Sequence, residues 1–523
     1  MHSTRVVRTS RDLIALVFLT FIGSIFRLQS FRYNIYLHGD INVDCAVAES
    51  IANNGNMIVP FPGPHYYPIS KFGFGYPLDQ HAPLWPIIGA IVYLVTKDCF
   101  AALKIISLIS GVLLIPASFV VFRKLFNVDA ARLAAVCVTF SYLMIDFSGN
   151  GSLYMLEALL FLLFAFFASA PAKVIDWAVL GFIAGISYLL NYQTIVILLA
   201  LIIAYFATLR REAFCKEHYR KLLLAFLVAL LVVSPWFLRN YFIFGTPLFN
   251  VNLNYVYGKL GIPQHIKTIG DNIVVEWLWD EVSYLTILKT FLAWTGHNFY
   301  YMARKLFVLT PLIFVFSILG FFKLLNHTLK KRKRDCWGFI PLLLFYSSIC
   351  AVWPIVKFRY FVPLLPLILG LGGYYISQLE SAKYKLYSSL ACVFGVIFFS
   401  ALTFLSIPSR TYYYDGAITT DPFGVRGEAL FIEELQPLMD AAAFVKTQGN
   451  APILVWDIAV HYVTHSPVVR GAPVEKLELN SLLIDKYKVK YVLIAKERLP
   501  TRDRFPGFRK IYENKKYMVL GLK

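Results

Sequence analysis

Two aspartates, Asp40 and Asp44, are the residues of this sequence best placed to do chemistry, in a polar segment directly after the first long apolar run. They are four residues apart, so they share one face if the segment is helical. One carboxylate can then act as a base while the other binds a cation. Two simpler alternatives stay open: Asp40 could cap a helix that follows it, and Asp44 could be a solvated surface residue.

A third carboxylate, Glu157, lies inside an apolar run, near the predicted outer end of a membrane span. An ionisable group inside a span is costly and usually faces a cavity or a partner, so we predict a functional role for Glu157. Together with Asp40 and Asp44 it could hold a divalent cation, but the sequence does not show that the three carboxylates meet.

Three basic residues lie at the ends of other apolar runs, namely Arg239, Lys357 and Arg359. A guanidinium group suits the oxygens of a phosphate. Snorkelling to the membrane interface is the alternative for Arg239. Lys357 and Arg359 are predicted to lie outside, against the positive-inside trend, which favours an anionic partner there.

The composition indicates that these residues are positioned by membrane helices. Of the 523 residues, 58% are hydrophobic, against roughly 45–50% in soluble domains, and the mean hydropathy is +0.61. The net charge of +19 comes mostly from basic clusters in short loops between apolar runs. Such loops stay in the cytoplasm during insertion, so the sequence predicts a polytopic membrane protein and no nucleic-acid partner.

About eleven transmembrane helices are predicted, since a span needs about 20 apolar residues. They cover residues 12–29, 101–122, 131–148, 155–171, 176–192, 193–209, 222–238, 306–325, 338–353, 361–378 and 386–406. Alternation then places loops 30–100 and 239–305 on the outer side. Residues 83–98 are predicted to form an outer juxtamembrane helix. The four-residue spacing of Val43, Val47 and Ile51 predicts an amphipathic helix that lies on the membrane.

The composition changes after residue 406, where short apolar runs alternate with helical patterns. Strands are predicted at 451–457, 490–496 and 516–522, and helices at 438–449 and 475–487. We therefore predict an all-α transmembrane domain over 1–406 and a small extracytoplasmic α/β domain over 407–523. The seven cysteines include no C-x-x-C pair, so neither a zinc site nor a disulfide framework is predicted.

Several segments, in order, carry a family resemblance. They are Gly39-Asp40 followed by Ala48 and Gly55, HAPLWPIIGA at 81–90, Glu157 at the start of the fourth span, SPWFLRNYFIFGTPLF at 234–249, FRYFVPLLPLI at 358–368, and the tail segments ILVWDIAVHYVTHSPVV and YKVKYVLIAKE. Together they resemble the GT-C class of membrane glycosyltransferases, in the group of bacterial aminoarabinose transferases and protein O-mannosyltransferases. The GT-C resemblance covers nearly the whole chain.

This resemblance implies an enzyme that takes a sugar from a polyprenyl-phosphate donor and passes it to a lipid, glycan or protein acceptor. The reaction would occur at the outer face of the cytoplasmic membrane. Asp40 would be the main carboxylate, acting on the acceptor hydroxyl. Arg239, Lys357 and Arg359 would offset charge on the departing lipid phosphate. No nucleotide is needed, and the chain has no phosphate-binding loop of the G-x-x-x-x-G-K-[ST] type.

The sequence departs from this family at two places. Aminoarabinose transferases carry Glu-Lys before the proline of the juxtamembrane helix, where this chain has Gln80 and His81, so His81 is predicted to replace the phosphate-binding cation. The fifth span ends without a basic residue, offering only Asn191 and Gln193. Two other functions stay open: a lipid-linked sugar transporter or flippase, which would need polar groups near the bilayer midplane, and a non-catalytic assembly subunit.

Overall fold

Apolar helices make up most of the computed structural model of the chain, and a small sheet follows them near the C-terminus. The structure describes residues 2–33, 39–60, 76–78, 81–169, 171, 173–209, 216–248, 260, 262, 264–269, 272–277, 282–330, 336–352, 358–405, 425–456, 460, 468–470, 477–496, 505 and 507–522. The predicted fold class, a polytopic helical membrane protein with a small C-terminal α/β part, is confirmed.

The elements before residue 260 are mostly long helices. They are α1 (His2–Tyr33), α2 (Gly39–Asn54), β1 (Ile58–Val59), β2 (Tyr76–Pro77), α3 (Leu84–Thr96), α4 (Cys99–Leu125), α5 (Val128–Phe140), α6 (Tyr142–Gly149), α7 (Tyr154–Ala168), α8 (Val174–Leu190), a 3-10 helix (Tyr192–Ile195), α9 (Val196–Leu209) and α10 (Lys216–Phe244).

The second half begins with a hairpin and returns to helices before the C-terminal strands. Its elements are β3 (Gln264–Ile269), β4 (Asn272–Trp277), α11 (Tyr284–Leu309), α12 (Pro311–Leu329), α13 (Phe339–Val352), a 3-10 helix (Phe358–Leu364), α14 (Leu365–Ser377), α15 (Ala382–Leu405), α16 (Val425–Thr447), β5 (Ile453–Val455), β6 (Val468–Arg470), α17 (Leu477–Tyr487), β7 (Tyr491–Ala495), β8 (Phe508–Glu513) and β9 (Tyr517–Leu522).

Each of the eleven predicted spans overlaps a helix. Among the described residues, six helices are long and apolar enough to cross a membrane, and α5 with α6 makes a seventh if this bent pair is one span. The other four predicted spans overlap the shorter apolar helices α7, α8, α9 and α13. The predicted juxtamembrane helix is α3, whose 13 residues are too few to span a bilayer core.

The bend between α5 and α6 is stabilised by a buried arginine of α1. The two helices meet at Ser141 at an angle of 54°. A helix end leaves carbonyl oxygens without intrahelical donors. The fully buried Arg27 donates to two of them, through Nη2 to Val138 at 2.9 Å and through Nη1 to Thr139 at 3.3 Å. The guanidinium charge inside the bundle is therefore bound by the backbone dipoles that the bend exposes.

The C-terminal sheet has five strands in the order β6-β5-β7-β9-β8. β6, β5 and β7 are parallel, whereas β9 pairs antiparallel with both β7 and β8. The three predicted strands correspond to β5, β7 and β9, and the two predicted helices to α16 and α17. β6 and β8 were missed because β6 has three residues and the edge strand β8 is largely polar. The domain boundary near residue 406 stays a prediction.

The prediction that α2 lies on the membrane is wrong. Ile41 and Cys45 are buried in the core of the helical bundle. Val43 and Val47 belong to a second apolar cluster, which also contains Trp236 and these residues of the C-terminal part: Leu438, Ala441, Ala442, Val445, Ile453, Val455, Val460, Val468, Leu493 and Val519. The apolar stripe of α2 therefore packs against protein on both sides, because the C-terminal part covers the face assigned to lipid.

The expectation that the cysteines form no disulfide is also wrong. Cys45 of α2 and Cys99 at the start of α4 form a disulfide, with their Cα atoms 5.2 Å apart. The two residues are 54 positions apart and belong to no local motif. Only the packing of α2 against α4 brings them together.

Candidate active site

Asp40 lies in the first turn of α2, one residue inside the helix, and so does not occupy the position before the helix that the capping alternative requires. Its negative charge is favourable there because the first turn is the positive end of the helix dipole. The side chain is 38% exposed, far more than the charged groups around it. Asp40 can therefore be reached from outside the protein, whereas Arg359 is buried and the side chain of His81 is only 17% exposed.

Arg359 pairs with Asp40 from a distant part of the chain. It lies in the 3-10 helix Phe358–Leu364, its side chain is 3% exposed, and its Nη2 donates to Oδ2 of Asp40. The guanidinium also lies 5.4 Å from the centroid of the Tyr360 ring. The structure thus joins two residues that the sequence predicted separately. Lys357, the other predicted cation of this segment, lies outside the described residues.

His81 connects the two aspartates of α2. Its Nδ1 is 2.7 Å from Oδ1 of Asp44, and its Nε2 is 3.8 Å from Oδ1 of Asp40. The hydroxyl of Tyr192 donates to the backbone carbonyl of His81 at 3.1 Å. The prediction that Asp40 and Asp44 share a helix face is confirmed. The alternative of a solvated Asp44 is wrong, since its side chain is 6% exposed.

This arrangement favours a protonated His81. Burial lowers the pKa of His81, but the charges of Asp44 and Asp40 and the hydrogen bond to Asp44 outweigh it, so the pKa is raised to about 9. Burial also raises the pKa of the Asp44 carboxyl, against the opposing effect of His81. Near neutral pH a proton is therefore held between them, and His81 is a cation beside Asp40.

Small residues set the position of α2 against its neighbours. A Cβ added to Gly89 of α3 would lie 2.6 Å from Cδ2 of Leu103 and 3.4 Å from the Cβ of Ala48. Gly55 ends α2 with a left-handed backbone, φ +66°, and its N–H donates to the carbonyl of Ile51 at 3.0 Å. Ala48 and Gly55, which carry part of the family resemblance, are thus explained by close packing and by helix termination.

Glu157 lies in a second polar cluster. It is fully buried in the first turn of α7. Nδ2 of Asn191 donates to both of its carboxylate oxygens, at 3.1 and 3.2 Å, and the hydroxyl of Tyr346 donates to Oε1 at 2.7 Å. Asn191 directly precedes Tyr192, the residue that holds the His81 backbone. The two clusters therefore adjoin through consecutive residues at the end of α8.

Arg239 has aromatic and amide contacts near the end of α10. Its guanidinium lies 4.5 Å from the centroid of the Trp236 ring and 5.3 Å from that of Phe244, and its Nη1 donates to Oδ1 of Asn240 at 2.9 Å. Trp236 belongs to the same apolar cluster as Val43 and Val47 of α2. Arg239 thus contacts a residue of the cluster that α2 shares with the C-terminal part, and its role toward a phosphate stays a prediction.

The described residues contain one group with metal-ligand spacing, formed by Cys45, Glu49 and Cys99. Its two sulfur atoms are joined in the disulfide. The predicted metal ligands are bound otherwise, since Asp40 and Asp44 contact Arg359 and His81, and Glu157 contacts Asn191 and Tyr346. A divalent cation at these three carboxylates stays an untested prediction.

The sequence interpretation missed the partners that orient the charged groups. These partners are Tyr192, Tyr346 and the uncharged Asn191. Tyrosine is one of the commonest residues of this chain, with 32 copies, so its identity carried no signal. The one available signal was the polar sequence NYQT between two apolar runs, where α8 gives way to the 3-10 helix.

Residues 80–238 match the model of the family described as dolichyl-phosphate-mannose-protein mannosyltransferase. The match begins one residue before His81 and ends one residue before Arg239, so it contains α3 to most of α10 and excludes Asp40 and Arg359. By sequence alone, no curated protein matches the chain.

Solved structures match nearly all of the chain. The oligosaccharyltransferase of Archaeoglobus fulgidus, solved with Zn and sulfate, is similar with a TM-score of 0.59 and 15% identity, over 92% of this chain and 67% of that one. AglB of the same organism, solved with an inhibitory peptide and a dolichol-phosphate, has a TM-score of 0.59 and 14% identity over 93% and 70%.

ArnT of Cupriavidus metallidurans, solved with undecaprenyl phosphate, has a TM-score of 0.57 and 12% identity, and the similarity covers 96% of this chain and 97% of that one. These likenesses extend over the helical bundle and the C-terminal part alike. The resemblance predicted from the sequence is thereby confirmed: the chain has the fold of the GT-C glycosyltransferases, and residues 80–238 carry the sequence pattern of the dolichyl-phosphate-mannose-protein mannosyltransferase family.

Proposed function

We propose that this protein is a membrane glycosyltransferase that moves a sugar from a polyprenyl-phosphate donor to an acceptor hydroxyl. One observation carries the proposal. The accessible carboxylate of Asp40 lies between two less exposed cationic groups, the buried Arg359 and the partly buried His81. A base next to preorganised positive charge suits a reaction that removes a proton from one substrate and leaves negative charge on the other.

In the proposed reaction, Asp40 accepts or orients the proton of the acceptor group. The acceptor atom then forms a bond to the anomeric carbon of the sugar, while the bond from that carbon to the carrier phosphate oxygen breaks. The electron pair of the broken bond stays on the phosphate. Arg359 and the protonated His81 are positioned to stabilise that charge, and buried cations do so more effectively than solvated ones.

The comparisons support the class of donor. The similar AglB structure contains a dolichol-phosphate and the similar ArnT structure contains undecaprenyl phosphate. Both are polyprenyl phosphates, consistent with the cations around Asp40. The acceptor can be a lipid, a glycan or a protein, and Arg239 and Lys357 are further candidates for phosphate contacts.

Glu157 is proposed as a positioning residue rather than as a group that contacts the substrate. It is fully buried, and its hydrogen bond from Asn191 fixes the residue next to Tyr192. Tyr192 in turn holds the backbone of His81. Glu157 would thus act on the site through His81.

The extracytoplasmic side is the proposed location of Asp40 and of the C-terminal part, in a protein integral to the cytoplasmic membrane. The disulfide between Cys45 and Cys99 supports this orientation, because disulfides persist outside the reducing cytosol. Cys45 directly follows Asp44, so the disulfide and the site lie on the same side of the membrane.

The direct test is Asp40→Asn, assayed for sugar transfer from a polyprenyl-phosphate donor in membranes. We expect transfer to fall by roughly 10²- to 10⁴-fold, the usual contribution of a positioned acid or base. Asp129→Asn is the matched control, since Asp129 is a 60% exposed aspartate of α5 that pairs with the surface residue Arg132. Wild-type turnover in a folded Asp40→Asn protein would contradict the assigned role.

Of the two other functions left open by the sequence, a transporter or flippase and a non-catalytic assembly subunit, the buried Glu157 cluster favours the first. The wild-type chain reconstituted in vesicles, with donor lipid and no acceptor, distinguishes a transporter from the enzyme. Movement of the donor between leaflets, without any sugar transfer when acceptor is added, would replace the enzyme proposal.

A further inference from the structure

The helix that carries both aspartates is fixed covalently to the bundle at one point. Cys45, the residue after Asp44, is bonded to Cys99, the first residue of α4, and both cysteines are buried. The start of α4 is itself ordered, because Asp98 caps it by accepting from the N–H of Ala101 at 3.0 Å. The disulfide therefore joins α2 to the end of a 27-residue apolar helix.

The site is sensitive to how α2 is rotated. Asp40 and Asp44 both face His81 because they are one turn apart, whereas their partners belong to two other parts of the chain, the segment before α3 and the 3-10 helix of Arg359. Successive helix residues are about 100° apart around the axis, so a register change of one residue would turn both carboxylates away. Misplacement of a reacting group by about 1 Å can cost up to ~100-fold in rate.

We infer that the Cys45–Cys99 disulfide is a positioning device for the active site, which sets the rotation and height of α2 so that Asp40 and Asp44 meet Arg359 and His81. The disulfide is not needed to bury α2, because Ile41 packs in the bundle core and Val43 and Val47 in the second apolar cluster. After reduction, α2 therefore keeps its apolar packing, but its rotation and height are no longer fixed. The activity readout of this inference rests on the proposed transferase function.

The experiment compares the oxidised full-length protein, the same protein treated with a water-soluble phosphine, and the Cys45→Ala/Cys99→Ala variant. The phosphine is oxidised to its oxide with oxygen from water, and the disulfide gains two electrons and two protons to give two thiols. We expect kcat for sugar transfer to fall by about tenfold to a hundredfold in the reduced protein and in the variant, with a smaller change in the donor KM.

A second readout separates positioning from general stability. The charged groups that face His81 are Asp44 and Asp40 of α2 and Arg359 of the 3-10 helix. If α2 shifts, the aspartates hold the His81 proton less strongly, so the basic limb of the pH profile should move to lower pH. Hydrogen exchange of α2 peptides should become faster on reduction, and this readout needs no activity.

Controls identify the bond responsible. Cys392→Ala removes a buried free cysteine of α15 and should keep both the wild-type rate and the sensitivity to the phosphine. In the Cys45→Ala/Cys99→Ala variant, the phosphine should cause no further loss of kcat.

Either of two results would overturn the inference: unchanged kcat, pH profile and α2 exchange after complete reduction, or alkylation of both cysteines in the untreated protein. If the oxidised wild type transfers no sugar, the proposed function fails. The inference is then decided only by whether hydrogen exchange of the α2 peptides becomes faster on reduction.

Discussion

At the scale of single residues, the site is defined by unequal exposure of four charged side chains. Asp40 is accessible, whereas Asp44, His81 and Arg359 are largely buried. A buried charge is tolerated only with a partner, and here each buried group has one. The pair of Asp44 and His81 therefore keeps a cation beside Asp40 over the neutral pH range.

The pH dependence of transfer should follow His81. The pKa of His81 is raised from 6.5 to about 9, so its protonated form, and the stability gained from pairing with Asp44, are fully present below pH 6.5 and lost as the pH rises through about 9. In the Asp44→Asn variant the pKa of His81 should fall toward 6.5, and the basic limb of the rate profile should move to lower pH with it. The pH profile of kcat measures this.

Glu49→Gln is the matched control for that experiment, since Glu49 is a half-buried carboxylate of the same helix and is not among the charges that act on His81. A basic limb that stays in place in Asp44→Asn would show that another group titrates.

Transfer is expected to continue in the presence of a chelator. Asp40 and Asp44 are already paired with Arg359 and His81, which supply the positive charge that a metal would otherwise bring. Titration with EDTA at constant donor concentration checks this. Loss of activity that returns on adding back a divalent cation would instead assign the carboxylates to a metal site.

At the scale of elements, the position of α2 depends on the close approach of α3 and α4. The sequence predicted a helix at each of these places, since apolar length and periodicity are local properties. It did not predict that α2 would be enclosed. Gly89, Ala48 and the disulfide set the distances between these helices, and each acts only through a residue of another element.

Gly89→Val should therefore disturb the site without altering any charged residue. Its side chain would overlap the buried Leu103 side chain and crowd Ala48, so Leu103 must repack and the contacts of α3 with α2 and α4 are disturbed. We expect a loss of stability of about 1–3 kcal/mol from overpacking and a reduced rate, measured as the thermal midpoint and kcat.

The control is Gly296→Val in α11, where an added Cβ would meet no atom within 4 Å. Equal thermal midpoints in the two valine variants would contradict the packing argument.

At the scale of the whole molecule, the C-terminal part and the bundle share one apolar cluster through α2 and α10. Val43, Val47 and Trp236 pack with residues of α16 and of the sheet. The helix that carries Asp40 and Asp44 is thus enclosed by both parts, which gives the C-terminal sheet a structural role.

Ala442→Asp tests this arrangement. Ala442 is fully buried in the shared cluster, so an aspartate there would be a buried charge without a partner and should destabilise the contact. We expect a lower thermal midpoint and reduced transfer. Ala443→Asp is the matched control, because the neighbouring alanine is exposed. A wild-type midpoint and rate in Ala442→Asp would show that the cluster does not support the site.

The sequence by itself determined the membrane helices, the C-terminal α/β part, the resemblance to GT-C glycosyltransferases, and Asp40 and Asp44 as a pair on one face. These follow from composition, periodicity and motif order, which are properties of short stretches of chain. Only the tertiary structure decided that Arg359 pairs with Asp40 across 319 positions, that His81 lies between the aspartates, and that Cys45 bonds to Cys99. Those contacts depend on how the helices pack, and packing is set by side chains that are distant in sequence.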